Sequence, residues 1–510
     1  MFNCIQLQRE LSQELPVVIG NKDYTIFRST LERMEEMINL GQLDHVVCDY
    51  LVRIEEEKRR RSAEKKGEHF TGISQKALSQ IYRIGQQALR CTIVRTLTEN
   101  SFRVFSCRLA DSPLLQRFCM VNRIDVVKVP SKSTLERYEK MLPETVVREI
   151  VIRLTEAASA QPGEEENQEL QLENYICLDD YYLDTTCMEA NIHYPVDWLL
   201  LRDITRTLMK AVELIRKAGL KNRMDDPQEF ITAMNRLIIR ITHTRRKKGG
   251  KKARKEVLRL MKKLVQKVSR HAEKHRDLLR EHWEETELSE KETRRIVERI
   301  EMVLEQLPQA VKNAHDRIIG ERRVANKDKI LSLYDPDLHV IVRGKAGGES
   351  EFGNSLLLGE QEDGVIMDWR LYQAQSPGDS NLLQESLERM EVDYNGYRPK
   401  SITTDRGFPS QKNHDYLRDA EIIDYMCPRS VKALEERLKE DNFCKHQKRR
   451  SQTEGRVGIF KNNFMGRPLR SKGFMHRKLS VAWGVLAHNL WVLARLPRAA
   501  ECCSEYQEAA

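Results

Sequence analysis

Three acidic residues stand in surroundings that do not favour a carboxylate. Asp184 lies within the strand-like run "YYLDTTCME", Asp405 ends the run "SITTD", and Glu454 is the only acid in the basic stretch "RRSQTEGRVGIFK". Aspartate is disfavoured in β-strands, and a carboxylate removed from water is costly unless a cation or hydrogen-bond donors satisfy it. These three positions are therefore candidates for chemistry.

Carboxylates grouped without histidine or cysteine suit a hard cation such as Mg²⁺, which prefers oxygen ligands and keeps several waters. Two such ions, roughly 3.5–4 Å apart, activate a water or a 3′-hydroxyl and stabilise the leaving oxygen in phosphodiester chemistry. Asp179 and Asp180 compete with Asp184 for the first position, since Asp180 lies on the same strand face by the two-residue repeat.

Alternating strand and helix patterns must position these acids. β-branched and aromatic residues predict strands, with "EQED" as a hairpin turn between two of them, in segments 175–195, 338–344, 352–359, 364–373 and 400–408. "KNHDYLRDA" then predicts a helix, "EIIDYMCP" a strand, and the residues from 431 onward a helix. Residues 197–325 show only helical signals, such as the apolar three-four repeat of "KEVLRLMKKLVQKV".

Strands that flank a purely helical block indicate one α/β domain interrupted by an all-helical insertion. We expect an N-terminal helical region, a linker, a split catalytic domain, the insertion and a tail; these occupy residues 1–160, 161–172, 173–196 with 326–497, 197–325, and 498–510 respectively.

Positive charge is concentrated in two parts of the chain. Residues 201–330 hold 35 Lys and Arg against 20 Asp and Glu, and residues 441–500 hold 13 against 2, in a chain of net charge +9. Such asymmetry indicates surfaces that bind a polyanion, most simply nucleic acid. Within the insertion, the basic loop 245–255 offers Lys247, Lys248, Lys251 and Lys252 to DNA; the alternative is a solvated helical bundle.

The N-terminal region contains two capped helical patterns, "DSPLLQRFC" and "VPSKSTLERYEKML". Two short helices joined by a turn would suit a helix-turn-helix whose second helix presents Lys132 and Arg137 to DNA. A plain helical domain is the alternative.

Cysteine usage and the apolar segments indicate an intracellular protein. The eleven cysteines form no CxxC pair, which fits a reducing compartment rather than a disulfide framework. The start "MFNCIQLQRE" lacks the pattern of a signal peptide, and the apolar stretch 481–496 is too short to span a bilayer, so it predicts a buried helix. We expect a cytoplasmic, nucleoid-associated protein without membrane contact.

Four blocks, in order, resemble the DDE transposases of bacterial insertion sequences, closest to the ISNCY type. "LDTTCMEANIHYP" resembles their first-aspartate block, and "KILSLYDPDLHVIVRGKAGGESEFGNSLLLGE" resembles the block after their helical insertion. "SITTDRGFPSQKN" resembles the second-aspartate block, and "EGRVGIFKNNFMGRPLRSKG" the glutamate block. The resemblance covers about residues 175–496 and, more weakly, the N-terminal helices.

The resemblance implies an RNase H-like fold with a mixed five-stranded sheet and flanking helices. It implies that Asp184 and Asp405 share two Mg²⁺ ions (Mn²⁺ substituting) and that Glu454 completes one ligand shell. The expected activity, in a bacterial or archaeal cell, is cleavage of DNA at element ends by water, followed by joining of the freed 3′-hydroxyl to target DNA. Pairing two ends implies a homodimer or a higher assembly on double-stranded DNA.

The glutamate block also resembles a wider transposase signature of Tyr, Arg, Glu and Lys. Arg450 precedes Glu454 by four residues and Lys461 follows it by seven, which places all three on one helical face. Gln447 stands where the family keeps tyrosine, so no role of that aromatic carries over. The expected contacts to DNA phosphates come from Arg450, Lys461 and Arg456, with Lys345 and Arg343 as further candidates.

Other interpretations predict different outcomes. A DNA-binding protein that has lost catalysis, or another RNase H-like nuclease, would keep the fold without strand transfer. Cys427, Cys444 and His446 near the site match no standard zinc spacing. Trp369, on a predicted strand, is a candidate for stacking on a flipped base, but a core position is the simpler interpretation.

Overall fold

A mixed sheet of six strands forms the centre of the computed structural model, which describes residues 15, 18–70, 72–122, 126–159, 170–244, 249–345 and 348–498. The strands are β1 (Asp180–Glu189), β2 (His339–Lys345), β3 (Gly348–Glu360), β4 (Ile366–Leu371), β5 (Ser401–Thr404) and β6 (Ile423–Asp424). The fold is therefore α/β, with one strand more than the five that the resemblance implies. Two of the six strands, β2 and β4, both pair with β3.

Strand direction changes at β1. On one side, β1 pairs antiparallel with β3, which in turn pairs antiparallel with β4 and β2. On the other side, β1 pairs parallel with β5, and β5 pairs parallel with β6. The predicted hairpin turn at residues 360–363 joins β3 to β4. The parallel half requires crossover connections, and helices supply them.

Each face of the sheet is covered by a different set of helices, as the two-residue alternation of strand side chains requires. The side chains of Tyr181, Leu183 and Leu357 point to one core. Two helices share it: α12 (Leu382–Asp393), between β4 and β5, and α13 (Gln411–Asp419), between β5 and β6. Met188, Leu356 and Trp369 point to the opposite core. Trp369 is therefore a core residue, only 1 % exposed.

The N-terminal helices pack on that opposite face together with the last helix, so they share one hydrophobic core with the sheet. They are α1 (Lys22–Leu40), α2 (Leu43–Lys66), α3 (Gln75–Leu97), α4 (Phe102–Asp111), α5 (Pro113–Phe118), α6 (Lys132–Glu139) and α7 (Glu144–Ser159). The last helix is α16 (Phe474–Leu493), which the sequence predicts as buried. The indole N–H of Trp483 in α16 donates to the Glu139 carbonyl at 3.1 Å.

The pair predicted as a helix-turn-helix has a different geometry. Ser112 and Ser131 do cap α5 and α6 by accepting a backbone N–H bond. However, residues 119–131 separate the two helices, and this connection is far longer than the three- or four-residue turn of that motif. The spacing of this pair therefore differs from that of the motif; Lys132 and Arg137 are exposed on α6, and their contact with DNA stays a prediction.

Four helices between β1 and β2 enclose a core of their own. They are α8 (Asp197–Lys217), α9 (Pro227–Thr244), α10 (Gly250–His282) and α11 (Glu290–Ala314), referred to below as the helical block. The basic loop predicted at residues 245–255 is described only in part. Residues 250–255 begin α10, and residues 245–248, with Lys247 and Lys248, lie outside the described residues. Lys251 and Lys252 are exposed on the first turn of α10.

Three helices complete the sheet's surroundings near the acids. α14 (Val431–Arg437) leads into α15 (Asp441–Ile459), which carries Glu454 and continues into a π-helical segment, Phe460–Met465. Single π-helical turns inside or after α-helices occur frequently at functional sites. The chain then turns at Gly466 and enters α16.

A buried ion cluster ties the N-terminal helices to the sheet. The guanidinium of Arg389 binds both carboxylate oxygens of Asp368, at 3.0 and 2.6 Å, and Arg148 of α7 lies 3.3 Å from the same carboxylate. Burial alone raises the pKa of Asp368, but the two guanidinium groups outweigh it and hold the pKa below its ordinary value. This carboxylate therefore stabilises the fold only while it is ionised.

We predict that Asp368→Asn lowers the free energy of unfolding by about 3 kcal/mol at pH 7, because two guanidinium groups lose their buried partner. The loss diminishes below the ordinary aspartate pKa, because the carboxylate of the unfolded chain takes up a proton there while the native carboxylate, with its lowered pKa, stays ionised. Urea denaturation at pH 7 and pH 3.5 measures the difference. Asp419→Asn, at an exposed aspartate, is the matched control and should change stability by less than about 0.5 kcal/mol.

Candidate functional site

Parallel pairing of β1 with β5 brings the two predicted aspartates to the same end of the sheet. Leu183 pairs with Thr404, so the residues that follow them, Asp184 and Asp405, stand side by side. Asp405 directly follows the carboxyl end of β5. Ligands in open α/β sheets commonly bind outside the carboxyl ends of the parallel strands.

Helix α15 runs along the same face of β1 and delivers Glu454. Its His446 lies 4.0 Å from Asp180, and its Arg449 guanidinium lies 4.5 Å above the Tyr182 ring. Eight residues of helix from His446 to Glu454 advance about 12 Å, and four residues of strand from Asp180 to Asp184 advance about 13 Å. Glu454 and Asp184 consequently line one open cleft of about 680 Å³.

The electrostatics of Asp184 reflect this meeting of acids. Burial, and after it the negative charges of Asp405 and Glu454, raise its pKa to about 6. The backbone N–H of Thr185, which donates to Asp184 Oδ1 at 2.7 Å, and the charge of Arg450 act in the opposite direction. A carboxylate crowded by other carboxylates gains from a cation, because the cation offsets both the desolvation and the repulsion.

The rival aspartates have structural partners at the opposite end of β1. Asp180 accepts a 2.6 Å hydrogen bond from Ser401, and Asp179 accepts bonds from Tyr397 and Lys400, each at 2.8 Å. Both therefore fix the start of the β1–β5 pairing, whereas Asp184 is the aspartate of β1 that faces the cleft.

Arg449 and Thr453 anchor α15 to the β3–β4 turn. Both donate to Glu360 Oε1, at 3.0 and 2.7 Å, and Arg449 also donates to the carbonyls of Gln361 and Glu362. These side chains are buried. Arg449 therefore holds the helix that carries Glu454. From the sequence alone, this structural arginine could not be told apart from one that binds phosphate.

Gln447 occupies the family's tyrosine position and connects both parallel strands to Arg450. Its amide nitrogen donates to the carbonyls of Thr404, at 3.3 Å, and Tyr425, at 2.7 Å. Its Oε1 accepts a 3.1 Å bond from Arg450 Nε. The side chain thus supports the backbone before Asp405 and orients Arg450, whose charge lowers the pKa of Asp184.

Asp379 is a fourth carboxylate that the sequence did not indicate. Its Oδ1 accepts a 3.2 Å bond from Thr185, beside Asp184. On its other side it faces Gly407: a methyl group there would lie 2.6 Å from Asp379 Oδ2 and 3.1 Å from Asp405 Oδ1. A larger residue at position 407 would therefore force the Asp379 carboxylate to move away from Asp405. The sequence around Asp379, "SPGDSN", has the composition of an ordinary turn, so no pattern in it indicates that Asp379 lies beside Asp184 and Asp405.

The predicted DNA-binding residues are only partly gathered at the cleft. Lys461 lines it and lies 3.8 Å from Glu189, whose carboxylate is also bound by Arg467 at 2.6 Å. Arg456 instead donates to the Glu362 carbonyl at 3.0 Å, on the β3–β4 turn. Arg343 and Lys345 belong to β2, and their side chains lie outside the described part of the chain.

Neither a preformed metal-binding cluster among the described residues nor a similar known protein is found. Among the described residues, no group of three or more His, Cys, Asp or Glu side chains is arranged to hold a metal ion. Cys427 and Cys444 instead lie near backbone carbonyls. The described helices include none with the length and apolarity that a bilayer crossing needs.

No family model, curated protein or solved structure matches the chain.

We predict that Asp184→Asn stabilises the metal-free protein at pH 7.5 by roughly 1–3 kcal/mol. A pKa raised above the ordinary 3.8 means that the ionised native carboxylate costs stability above about pH 6. This cost disappears as the pH falls from 6 towards 3.8. Urea denaturation in a chelating buffer should show the gain at pH 7.5 and little at pH 4; an equal gain at both pH values would show that the raised pKa is not its cause.

Proposed function

We propose that the protein is a DDE-type DNA transposase that cleaves phosphodiester bonds and joins 3′-hydroxyl ends to target DNA. The observation that carries the proposal is the register of β1 on β5, which sets Asp184 beside Asp405 while α15 brings Glu454 to the same cleft. The three acids thus meet in the order and on the elements that the resemblance implies.

The sheet supports the same proposal. Apart from β2, the strand order is β4-β3-β1-β5-β6, with the first three strands antiparallel and the last two parallel to β1. The expected RNase H-like domain has its first aspartate on the first core strand and its second after the fourth. β1 and β5 are those strands once β2 is set aside, and the helical block then has the place of an insertion between β1 and β2.

Carboxylates are the side chains that hard cations prefer, although the described residues form no group of three already arranged around an ion. Mg²⁺ uses one or two carboxylates and completes its shell with water and substrate phosphate oxygens, so an open group of carboxylates suits it better than a closed cage. Asp184 and Asp405 are the proposed shared ligands and Glu454 the third. The raised pKa of Asp184 is the matching observation, because a cation relieves the repulsion that raises it.

When bound, two such ions activate the attacking oxygen and stabilise the leaving oxygen. Arg450, oriented by Gln447, and Lys461 flank the acids and would neutralise the phosphates on either side of the scissile bond. Water attacks the phosphorus and the P–O3′ bond breaks, leaving a 3′-hydroxyl and a 5′-phosphate. That hydroxyl then attacks a phosphorus of the target DNA: a new P–O3′ bond forms, the target's own P–O3′ bond breaks, and a target 3′-hydroxyl leaves. The pairing of two ends implies two or more protomers.

We predict that Asp405→Asn and Glu454→Gln each reduce cleavage at least a hundredfold in Mg²⁺, since each removes a ligand. The substrate is a labelled duplex copied from the DNA that flanks the gene, and denaturing gels measure the nicks. Asp180→Asn is the matched control, because it removes a carboxylate from the same strand face outside the cleft, and it should retain activity. Wild-type activity in Asp405→Asn would exclude the assignment.

Two further readouts separate the possibilities. Mn²⁺ at a hundred times its dissociation constant should add about 2.7 kcal/mol to the free energy of unfolding of the wild type and raise its melting temperature accordingly. The melting temperature of Asp405→Asn should rise far less. Joined products with a target plasmid distinguish a transposase from a nuclease that only cleaves. Cation binding without any cleavage would indicate a protein that has lost the reaction.

A further inference from the structure

A second cleft, of about 980 Å³, lies between the helical block and the β2–β3 hairpin. Its walls are unusually basic, with six cationic and two anionic side chains. The cationic residues are Lys251, Arg254, Arg317, Arg322, Arg323 and Lys329, and the anionic residues are Asp197 and Glu321. We refer to it as the basic cleft. Its lining residues include none of the three acids.

The basic cleft continues directly from the cleft that holds Asp184 and Glu454. Tyr194, Ser350 and Phe352 line both. A chain of phosphates leaving the acids along this path therefore enters positively charged surroundings at once. This continuity gives the basic cleft a direction, with the reacting phosphate at one end.

Part of the positive charge is already used inside the protein. Arg317 pairs with Asp197 at 3.2 Å, and both Lys251 and Lys255 pair with Glu321, at 3.2 and 2.8 Å. Arg322 and Arg323 are exposed, and neither has an ion-pair partner among the residues that the structure describes. These two guanidinium groups remain available for an external anion.

Tyr194 stands at the junction of the two clefts. Its side chain is 76 % exposed, an unusual state for an aromatic ring. The ring meets Phe352 nearly perpendicularly, at 84° and 5.5 Å between centroids. Pro195 follows it and limits the backbone before α8. The ring is therefore held in place while most of its surface remains open to solvent.

We propose that the basic cleft binds single-stranded DNA next to the reacting phosphate, with a base stacked on Tyr194 and phosphates bound by Arg322 and Arg323. A basic groove with an exposed aromatic ring is the general design of single-strand binding sites. An exposed aromatic ring can stack on a base only where that base is not covered by its neighbours in a duplex, which favours a single strand. The inference rests on the proposed function for its choice of DNA, and it names the path of the strand beyond the acids.

The test is fluorescence anisotropy of a labelled twelve-nucleotide DNA strand with the full chain in EDTA, which prevents cleavage. Arg322→Ala with Arg323→Ala should weaken binding at least tenfold and flatten the plot of log affinity against log salt by about 1.4, or about 0.7 for each phosphate that is no longer neutralised. Tyr194→Ala should weaken binding about 5- to 150-fold, since stacking contributes about 1–3 kcal/mol. Tyr194→Phe should bind as the wild type does.

Arg294→Ala with Arg295→Ala is the matched control. These exposed arginines lie on α11 of the same helical block, and the change in net charge is identical. An equal loss of affinity in this control, or an equal loss in Tyr194→Phe and Tyr194→Ala, would overturn the proposal. Tighter binding of RNA or of duplex DNA of the same sequence would overturn the choice of single-stranded DNA.

The two proposals fail separately. Asp405→Asn, which abolishes the proposed cleavage, should bind the single strand with wild-type affinity in EDTA. Cleavage that persists while the Arg322 and Arg323 double variant binds normally would remove the cleft proposal alone. Strand binding that depends on Tyr194, in a protein that cleaves no DNA, would remove the transposase proposal alone.

Discussion

Asp184 and Asp405 stand on neighbouring parallel strands, and their negative charges repel each other across the end of the sheet. This repulsion is a cost that the fold accepts, because the register of β1 on β5 permits no other placement. Neighbouring groups reduce this cost. The backbone N–H of Thr185 donates to Asp184, and the backbone N–H of Gly407 donates to Asp405 at 2.8 Å. The positive charge of Arg450 also acts on Asp184. The site is thus ready for positive charge.

The adjacent arginines of α15 show how one helix serves structure and site together. Successive helical residues point about 100° apart, so Arg449 turns inward to Glu360 while Arg450 turns towards the acids. The inward arginine holds the helix that carries Glu454, and the charge of the outward arginine acts on Asp184. A substitution at either position would disturb the site, but for different physical reasons.

Much of the strand-containing half of the chain could be predicted because its signals are local. Runs such as "YYLDTTCME" and "SLLLGE" have the composition of strands, and an aspartate inside one of them is visible as an anomaly. Asp379 could not be predicted, because its meeting with Asp405 depends on the approach of two segments that are distant in sequence. The docking of the N-terminal helices on α16 could not be predicted either, since an apolar helix face does not specify its partner. The basic residues of α15 looked equivalent until their partners were known.

The position of the helical block has a consequence for the order in which the protein forms. Asp180 and Ser401, which hydrogen-bond at the start of the β1–β5 pair, are 221 residues apart, and Glu139 and Trp483 are 344 residues apart. At a synthesis rate of roughly 5–20 residues per second, α6 and β1 wait on the order of half a minute for the segments that cover them. The helical block, whose contacts are nearer in sequence, has time to fold first. The acids come together only after β5 and α15 have been made, so a shorter nascent chain carries no assembled site.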